Sequence, residues 1–346
     1  MEPSLNAFRS EFHDSVQDLL WRQWTALGVS GHGSRWTRTP LDPEALILTT
    51  CTLARRDPRL FDAMLDWLRM NGRYVSVHRL QRLLAGGSFA GGAVFAAVAG
   101  TMSEADGTLK WQRSSRRAPD QSAPSAEPLF FMPDGSPLPV VREPDPRFLA
   151  LGFLRDRYEP RDAARRFRPE IPANLLLRLR ALLGVNARCE LMAYLLLNQR
   201  GSPRAVARAC GYYPATVAKA LAEMVDSGFL VSQVEGRHRY YSLVPDVWRA
   251  LFLGDASPPL WIAWPVLFAA LERVWAFIEA PERSGESLLA QASALRRILH
   301  DGVAEGLSRG GPAAVLQGWD RQAGEALLPY FVGELRALID AVHRLG

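Results

Sequence analysis

The sequence predicts a mainly α-helical protein with one small β-hairpin, in which a central module is flanked by helical regions on both sides. Three observations lead there. Apolar residues recur at helical spacing through residues 5–104 and again through 259–346. Between them, residues 202–243 read without interruption as helix, tight turn, helix and hairpin. The composition, 48% hydrophobic and 22% charged over 346 residues, is that of a globular chain long enough for two or three domains.

The N-terminal helical domain is expected over residues 1–104. Phe8, Phe12, Val16, Leu19, Leu20 and Trp24 lie on one face of a helix over 5–27, and the loop GVSGHGSRW follows. A second helix starts near Pro43. Asp57 and Pro58 announce a third that carries Leu60, Phe61, Met64, Leu65 and Leu68 and stops at Asn71-Gly72. Ser76 opens a short fourth helix. The glycines of residues 86–101 invite a phosphate-loop reading, but the Lys-Ser or Lys-Thr ending is missing, and a closely packed small-residue helix is expected instead.

Residues 105–145 are expected to form a linker, with a hairpin where Pro133-Asp134-Gly135 separates two apolar arms. The next stretch carries Arg155, Arg157, Arg161, Arg165, Arg166 and Arg168 and reads as a basic approach to the central module, so a domain is drawn over 146–250. Asp156, Glu159 and Asp162 are interleaved with these arginines, which makes a surface ion-pair lattice an equal alternative.

In the central module Ser202 is an N-cap and Pro203 the first helical residue, with Val206 facing inward. Gly211 ends this helix in a left-handed turn, and a second runs from about Pro214 to Ser227 with Val217, Leu221 and Met224 at core spacing. Asp226-Ser227-Gly228 stops it. Phe229 to Val234 then alternates as a strand, Glu235-Gly236-Arg237 turns, and Arg239 to Leu243 returns, with Tyr240 and Tyr241 on opposite faces. That order is the ground plan of a winged helix-turn-helix.

Here the segment resembles the DNA-binding domain of the ArsR and MarR groups of bacterial transcription regulators. Thr216, Val217, Leu221, Met224, Gly228, Phe229, Leu230, Val231, Arg237, Tyr240, Tyr241 and Leu243 match their helix-to-wing pattern in register, over roughly residues 175–248. The resemblance implies a winged helix-turn-helix that binds DNA; the bases a member reads are not inherited with the fold. Metal sensing is not expected, because Ser-Pro-Arg-Ala-Val-Ala stands where metal-sensing members carry paired cysteines.

The residues point to DNA independently. Residues 171–250 hold ten Arg and Lys against five Asp and Glu, in a chain of net charge +5 and sequence pI near 9.4. Tyr213, Thr216 and Lys219 share one face at i, i+3, i+6 and would meet base edges and phosphates. Arg204 and Arg208 of the first helix, with Arg237, His238 and Arg239 of the wing, would meet phosphates or the minor groove. Few side chains of the second helix can hydrogen-bond to bases, so DNA shape is expected to share in recognition.

Other function classes fare worse. The six histidines and three cysteines show no metal-ligand spacing, and no cofactor is expected. Cys189 and Cys210 fit core positions. His32 and Ser34 lack an elbow motif or an acid partner, so no enzyme is expected. The apolar run at 258–271 is too short to span a membrane and reads as a buried helix. The N-terminus lacks an apolar secretory core, and Arg dominates over Lys as in GC-rich bacterial genomes; a cytoplasmic bacterial protein is expected.

A C-terminal helical domain is drawn over 251–346. Its last helix carries the stripe Leu327, Leu328, Phe331, Leu335, Leu338, Ile339 and Val342, read either as core or as part of a homodimer interface. The expectation is therefore a homodimeric transcriptional regulator on double-stranded DNA. The alternative is an accessory subunit whose central module packs on another protein; occlusion of the Lys219 and wing face by residues 259–346 would favour it.

Overall fold

The computed structural model describes residues 5–31, 39–106, 109–115, 126–244, 247–253, 258–280 and 285–345. These residues are mainly helical, and contacts group the chain into two units. The first comprises Val16–Gly33 and Pro43–Phe167, the second Met1–Ser15, Ser34–Asp42 and Arg168–Gly346. Helix α1 (Leu5–Leu27) contributes its C-terminal part to the first unit and its N-terminal part to the second.

The first unit continues with α2 (Pro43–Leu53), α3 (Pro58–Asn71), α4 (Val77–Ala85), α5 (Gly92–Asp106) and the single turn α6 (Gln112–Ser115). The starts follow capping chemistry: Asp57 accepts the N–H groups of Arg59 and Leu60 ahead of α3, and Ser76 that of Arg79 ahead of α4. Trp24 and Trp67 meet edge to face at 5.2 Å in the core, and each indole finds an acceptor, Thr50 Oγ1 at 2.9 Å and the Leu27 carbonyl at 2.8 Å. The glycine-flanked stretch expected as a small-residue helix is α5. Arg79 of α4 is buried beside Glu44 at 2.9 Å.

The expected domain boundary at 146 is displaced. Strand β1 (Glu127–Pro128), the single turn α7 (Pro146–Leu149) and β2 (Phe153–Leu154) belong to the first unit, and β1 pairs with β2 in parallel. Between β1 and α7 the Pro133-Asp134-Gly135 turn closes a hairpin, with Phe131 opposite Pro137. Buried polar pairs draw the arginine-rich stretch inward: Arg155 bonds Asp62 at 2.7 Å, and Tyr158 donates to Asp66, whose other oxygen accepts the N–H of Ala163 at 2.8 Å. Burial and the Asp66 carboxylate hold the Tyr158 phenol above its usual pKa. Arg157 and Arg168 pair with Glu143 and Glu170, so the ion-pair alternative describes this stretch better than a phosphate-binding approach does. His32 and Ser34 lie outside the described residues.

The second unit holds α8 (Leu175–Leu183), α9 (Ala187–Asn198), β3 (Arg200–Gly201), α10 (Pro203–Cys210), α11 (Pro214–Asp226), β4 (Leu230–Glu235), β5 (His238–Leu243) and α12 (Val247–Leu253). The strands form an antiparallel sheet in the order β3-β5-β4. After it come α13 (Trp264–Glu279), α14 (Leu288–Ile298), α15 (Ala304–Gly310) and α16 (Leu327–His343). The apolar run at 258–271 enters α13, where Leu267, Phe268, Leu271 and Val274 are buried; no helix among the described residues is long and apolar enough to cross a membrane.

The α16 stripe is core of a single chain. Phe331 is 0% exposed, Leu335 and Leu338 are 1% each and Leu328 is 4%. Arg336 clamps α16 to Glu11 of α1 through two hydrogen bonds. The expected use of this stripe as a dimer interface is corrected accordingly. Leu335→Ala should destabilise the protein by about 2–5 kcal/mol through the cavity it leaves. Leu335→Glu should abolish cooperative urea unfolding instead of yielding a folded monomer.

Candidate nucleic-acid interface

Helices α8 to α11 and the three strands share one core. Leu191, Leu195 and Leu196 of α9 meet Val206 and Cys210 of α10, Val217, Leu221 and Met224 of α11, and Leu230 and Tyr241 of the sheet. The local geometry follows from the sequence. Ser202 Oγ accepts the Ala205 N–H, Pro203 occupies the first turn, and Gly211 adopts φ 71° and ψ 42°, the left-handed conformation that redirects the chain into α11. The hairpin turn is tighter than expected. Glu235 pairs with His238, leaving two residues between the strands; Gly236 has φ 62° and Arg237 is not at positive φ, the signs of a type II′ turn. Tyr241 is buried and Tyr240 half-buried, as strand alternation requires.

A buried ionic network, not foreseen from the sequence, joins these elements. Arg180 of α8 is 1% exposed and Glu190 of α9 is 2%. The guanidinium donates to Glu190 Oε1 from Nη2, and from Nε at 3.2 Å. Glu190 Oε2 accepts the hydroxyl of Tyr212 at 3.2 Å, in the turn between α10 and α11. The signal was a lone acid inside the apolar run of α9, CELMAYLLL, where a charge needs a buried partner.

All eight residues expected to touch DNA are exposed: Arg204 and Arg208 on α10, Tyr213, Thr216 and Lys219 at the N-cap and along α11, and Arg237, His238 and Arg239 at the hairpin tip. Tyr213 is 62% exposed. Lys219 lies opposite Val217, Leu221 and Met224 and Thr216 to their side, both exposed, so the face expected to be presented is free of the core. No segment among the described residues covers it.

Charge pairing separates two classes of cation here. Glu190, Glu223 and Glu235 are matched by Arg180, Arg188 and Arg200, and Arg200 also stacks over Tyr240 with its guanidinium carbon 4.6 Å from the ring centre. Arg204, Arg208, Lys219, Arg237 and Arg239 have no carboxylate within 4.0 Å among the described residues. The module's three glutamates are thus matched by arginines, while these five cations keep no carboxylate partner among the described residues.

No group of three His, Cys, Asp or Glu among the described residues is placed to hold a metal. Cys51, Cys189 and Cys210 are all buried, and burial pushes the Cys189 thiol up to about 11. Cys189 should therefore resist iodoacetamide at pH 8 in the folded protein and react once urea unfolds it. Removing the Glu190 carboxylate strands Arg180, so Glu190→Ala should destabilise by about 3–5 kcal/mol in denaturant melts. Replacing Arg180 as well, by Met, should return part of that loss.

Comparison with known proteins finds no family model that matches the chain, and neither a curated protein nor a solved structure matches it.

Proposed function

We propose that residues 175–253 form a winged helix-turn-helix and that the protein is a transcriptional regulator binding duplex DNA through it. The observation that carries the reading is the group of five exposed cations on α10, α11 and the hairpin tip that lack a carboxylate partner among the described residues. Phosphates supply the missing counter-charge, and counterion release from DNA rewards each contact. In this reading α11 enters the major groove with Tyr213, Thr216 and Lys219 toward the bases, and the β4–β5 hairpin lies along the backbone as a wing. Occlusion of this face by residues 259–346 would favour the accessory-subunit reading, whereas Lys219 and the hairpin tip are exposed.

Regulators of this design work in pairs because one module touches only a few base pairs, so the reading includes two copies on adjacent half-sites. A pair of this kind uses a surface other than the α16 stripe, and light scattering of the protein on a long duplex should return two chains per site.

The direct test is fluorescence anisotropy with duplexes of random and selected sequence across a salt series. The double substitution Lys219→Ala and Arg237→Ala should weaken binding to every sequence and reduce the slope of log affinity against log salt by up to about 2. Thr216→Ala or Tyr213→Ala should change which sequences are preferred. Unchanged affinity and slope in a folded double variant removes this face from any DNA interface.

A further inference from the structure

Four arginines of the first unit come together at the C-terminal end of α3 and are exposed without a carboxylate partner among the described residues: Arg69, Arg73, Arg165 and Arg166. The proposed DNA interface uses none of them. Arg69 stands in the last turn of α3 and Arg73 in the turn that follows it, while Arg165 and Arg166 belong to the segment that pairs with Val29 through Ala164. Asn71 joins the two: its buried amide donates from Nδ2 to the Arg165 carbonyl at 2.9 Å and accepts the Phe167 N–H at Oδ1 at 3.2 Å. From the other side the Arg165 N–H donates to the Gly28 carbonyl at 2.9 Å, and Gly28, at φ 113°, leaves room for the Arg165 carbonyl oxygen where a Cβ would come within 2.8 Å.

The charge on this frame is one-sided. Lys110 adds a fifth cation, its Nζ donating to the Gly72 and Arg73 carbonyls at 2.8 and 3.0 Å. Of the acids next to these arginines in sequence, Asp66 is buried and accepts the Tyr158 hydroxyl and the N–H groups of Arg161 and Ala163, which leaves Asp162 as the exposed one. The aromatic side chains in the cluster are already engaged: Arg73 lies over Tyr74 with its guanidinium carbon 4.7 Å from the ring centre, and Tyr74 meets Phe167 edge to face at 5.1 Å. Both rings are half-buried, so they offer little to the unpaired bases that a single strand would stack on them.

We propose that this cluster is a second contact for the phosphate backbone of duplex DNA, indifferent to base sequence, in addition to the one made by the winged module. It rests on the reading of the protein as a DNA-binding regulator. Guanidiniums bond phosphate oxygens in pairs, and each phosphate neutralised releases counterions, a gain that a chain of phosphates multiplies and a single phosphate ion does not offer. An exposed guanidinium holds an isolated anion only weakly in water. The fixed backbone of Arg165 lowers the cost of ordering the cluster on its partner. Of the arginines in residues 146–168, Arg147, Arg155, Arg157, Arg161 and Arg168 have acids of the chain, and the counter-charge of Arg165 and Arg166 comes from outside it.

Fluorescence anisotropy of the full chain on a long duplex of random sequence, across a salt series, tests this. Arg165→Ala with Arg166→Ala should weaken binding severalfold at fixed salt and reduce the slope of log affinity against log salt by up to about 2, and should do so again in the Lys219→Ala, Arg237→Ala background. Should that pair of changes prevent folding, Arg69→Ala decides the matter with a slope reduced by up to about 1. Arg142→Ala with Arg157→Ala removes the same charge from arginines paired with Glu159 and Glu143 and should leave the slope unchanged. A single strand of equal length should compete less well than the duplex. An unchanged slope in the folded Arg165 and Arg166 variant overturns the second contact, as does an equal loss in the Arg142 and Arg157 control, or a single strand that competes as well as the duplex. Failure of the winged-module reading looks different: there the Lys219 and Arg237 variant keeps its slope while the Arg165 and Arg166 variant loses it.

Discussion

Within the module that displays the basic face, α8, α9 and the turn before α11 meet at one buried carboxylate. Glu190 sits within the α9 core run and meets Arg180 of α8 on one side and the Tyr212 hydroxyl on the other. Tyr212 immediately precedes the N-cap of α11, so the position of that helix is tied to a charge that has no water to turn to. An apolar trio of similar volume would pack as well and cost less desolvation. What the ionic version adds is direction, because hydrogen bonds accept one geometry where methyl groups accept many. The Tyr212 bond therefore bears on the angle at which Tyr213, Thr216 and Lys219 are presented.

The same physics recurs across the chain with opposite outcomes. In the first unit the arginines nearest the core are matched with acids, Arg79 with Glu44 and Arg155 with Asp62, which lets charged side chains enter a helical core. In the central module Glu190, Glu223 and Glu235 are matched by Arg180, Arg188 and Arg200, and Arg204, Arg208, Lys219, Arg237 and Arg239 keep no carboxylate among the described residues. Counting basic residues does not separate these cases, since residues 146–168 are richer in arginine than the module. In that stretch Arg147, Arg155, Arg157, Arg161 and Arg168 have carboxylate partners, whereas Arg165 and Arg166 are exposed without one among the described residues.

That difference marks how far the sequence could be read. Capping and breaking signals are local, so Ser202, Pro203, Gly211, Asp57 and Ser76 located helix ends that the structure reproduces. Alternation in the hairpin put Tyr240 and Tyr241 on opposite faces, and the structure makes Tyr241 the inward one. Partners distant along the chain were not legible: Arg155 meets Asp62 across 93 residues, and no spacing rule links them. For the same reason the α16 stripe, equally suited to core or interface by its periodicity, was settled only by the chain that packs on it. The Glu190 network was half visible, as an acid in an apolar run whose partner could not be named.

Photo-cross-linking to a duplex carrying 5-bromodeoxyuridine, followed by peptide mapping of the full chain, tests the central claim most directly. The account predicts cross-links on the peptides that hold Tyr213 at the start of α11 and His238 or Tyr240 of the hairpin, lost in excess salt. Cross-links confined to residues 16–167, or none at low salt, would contradict it.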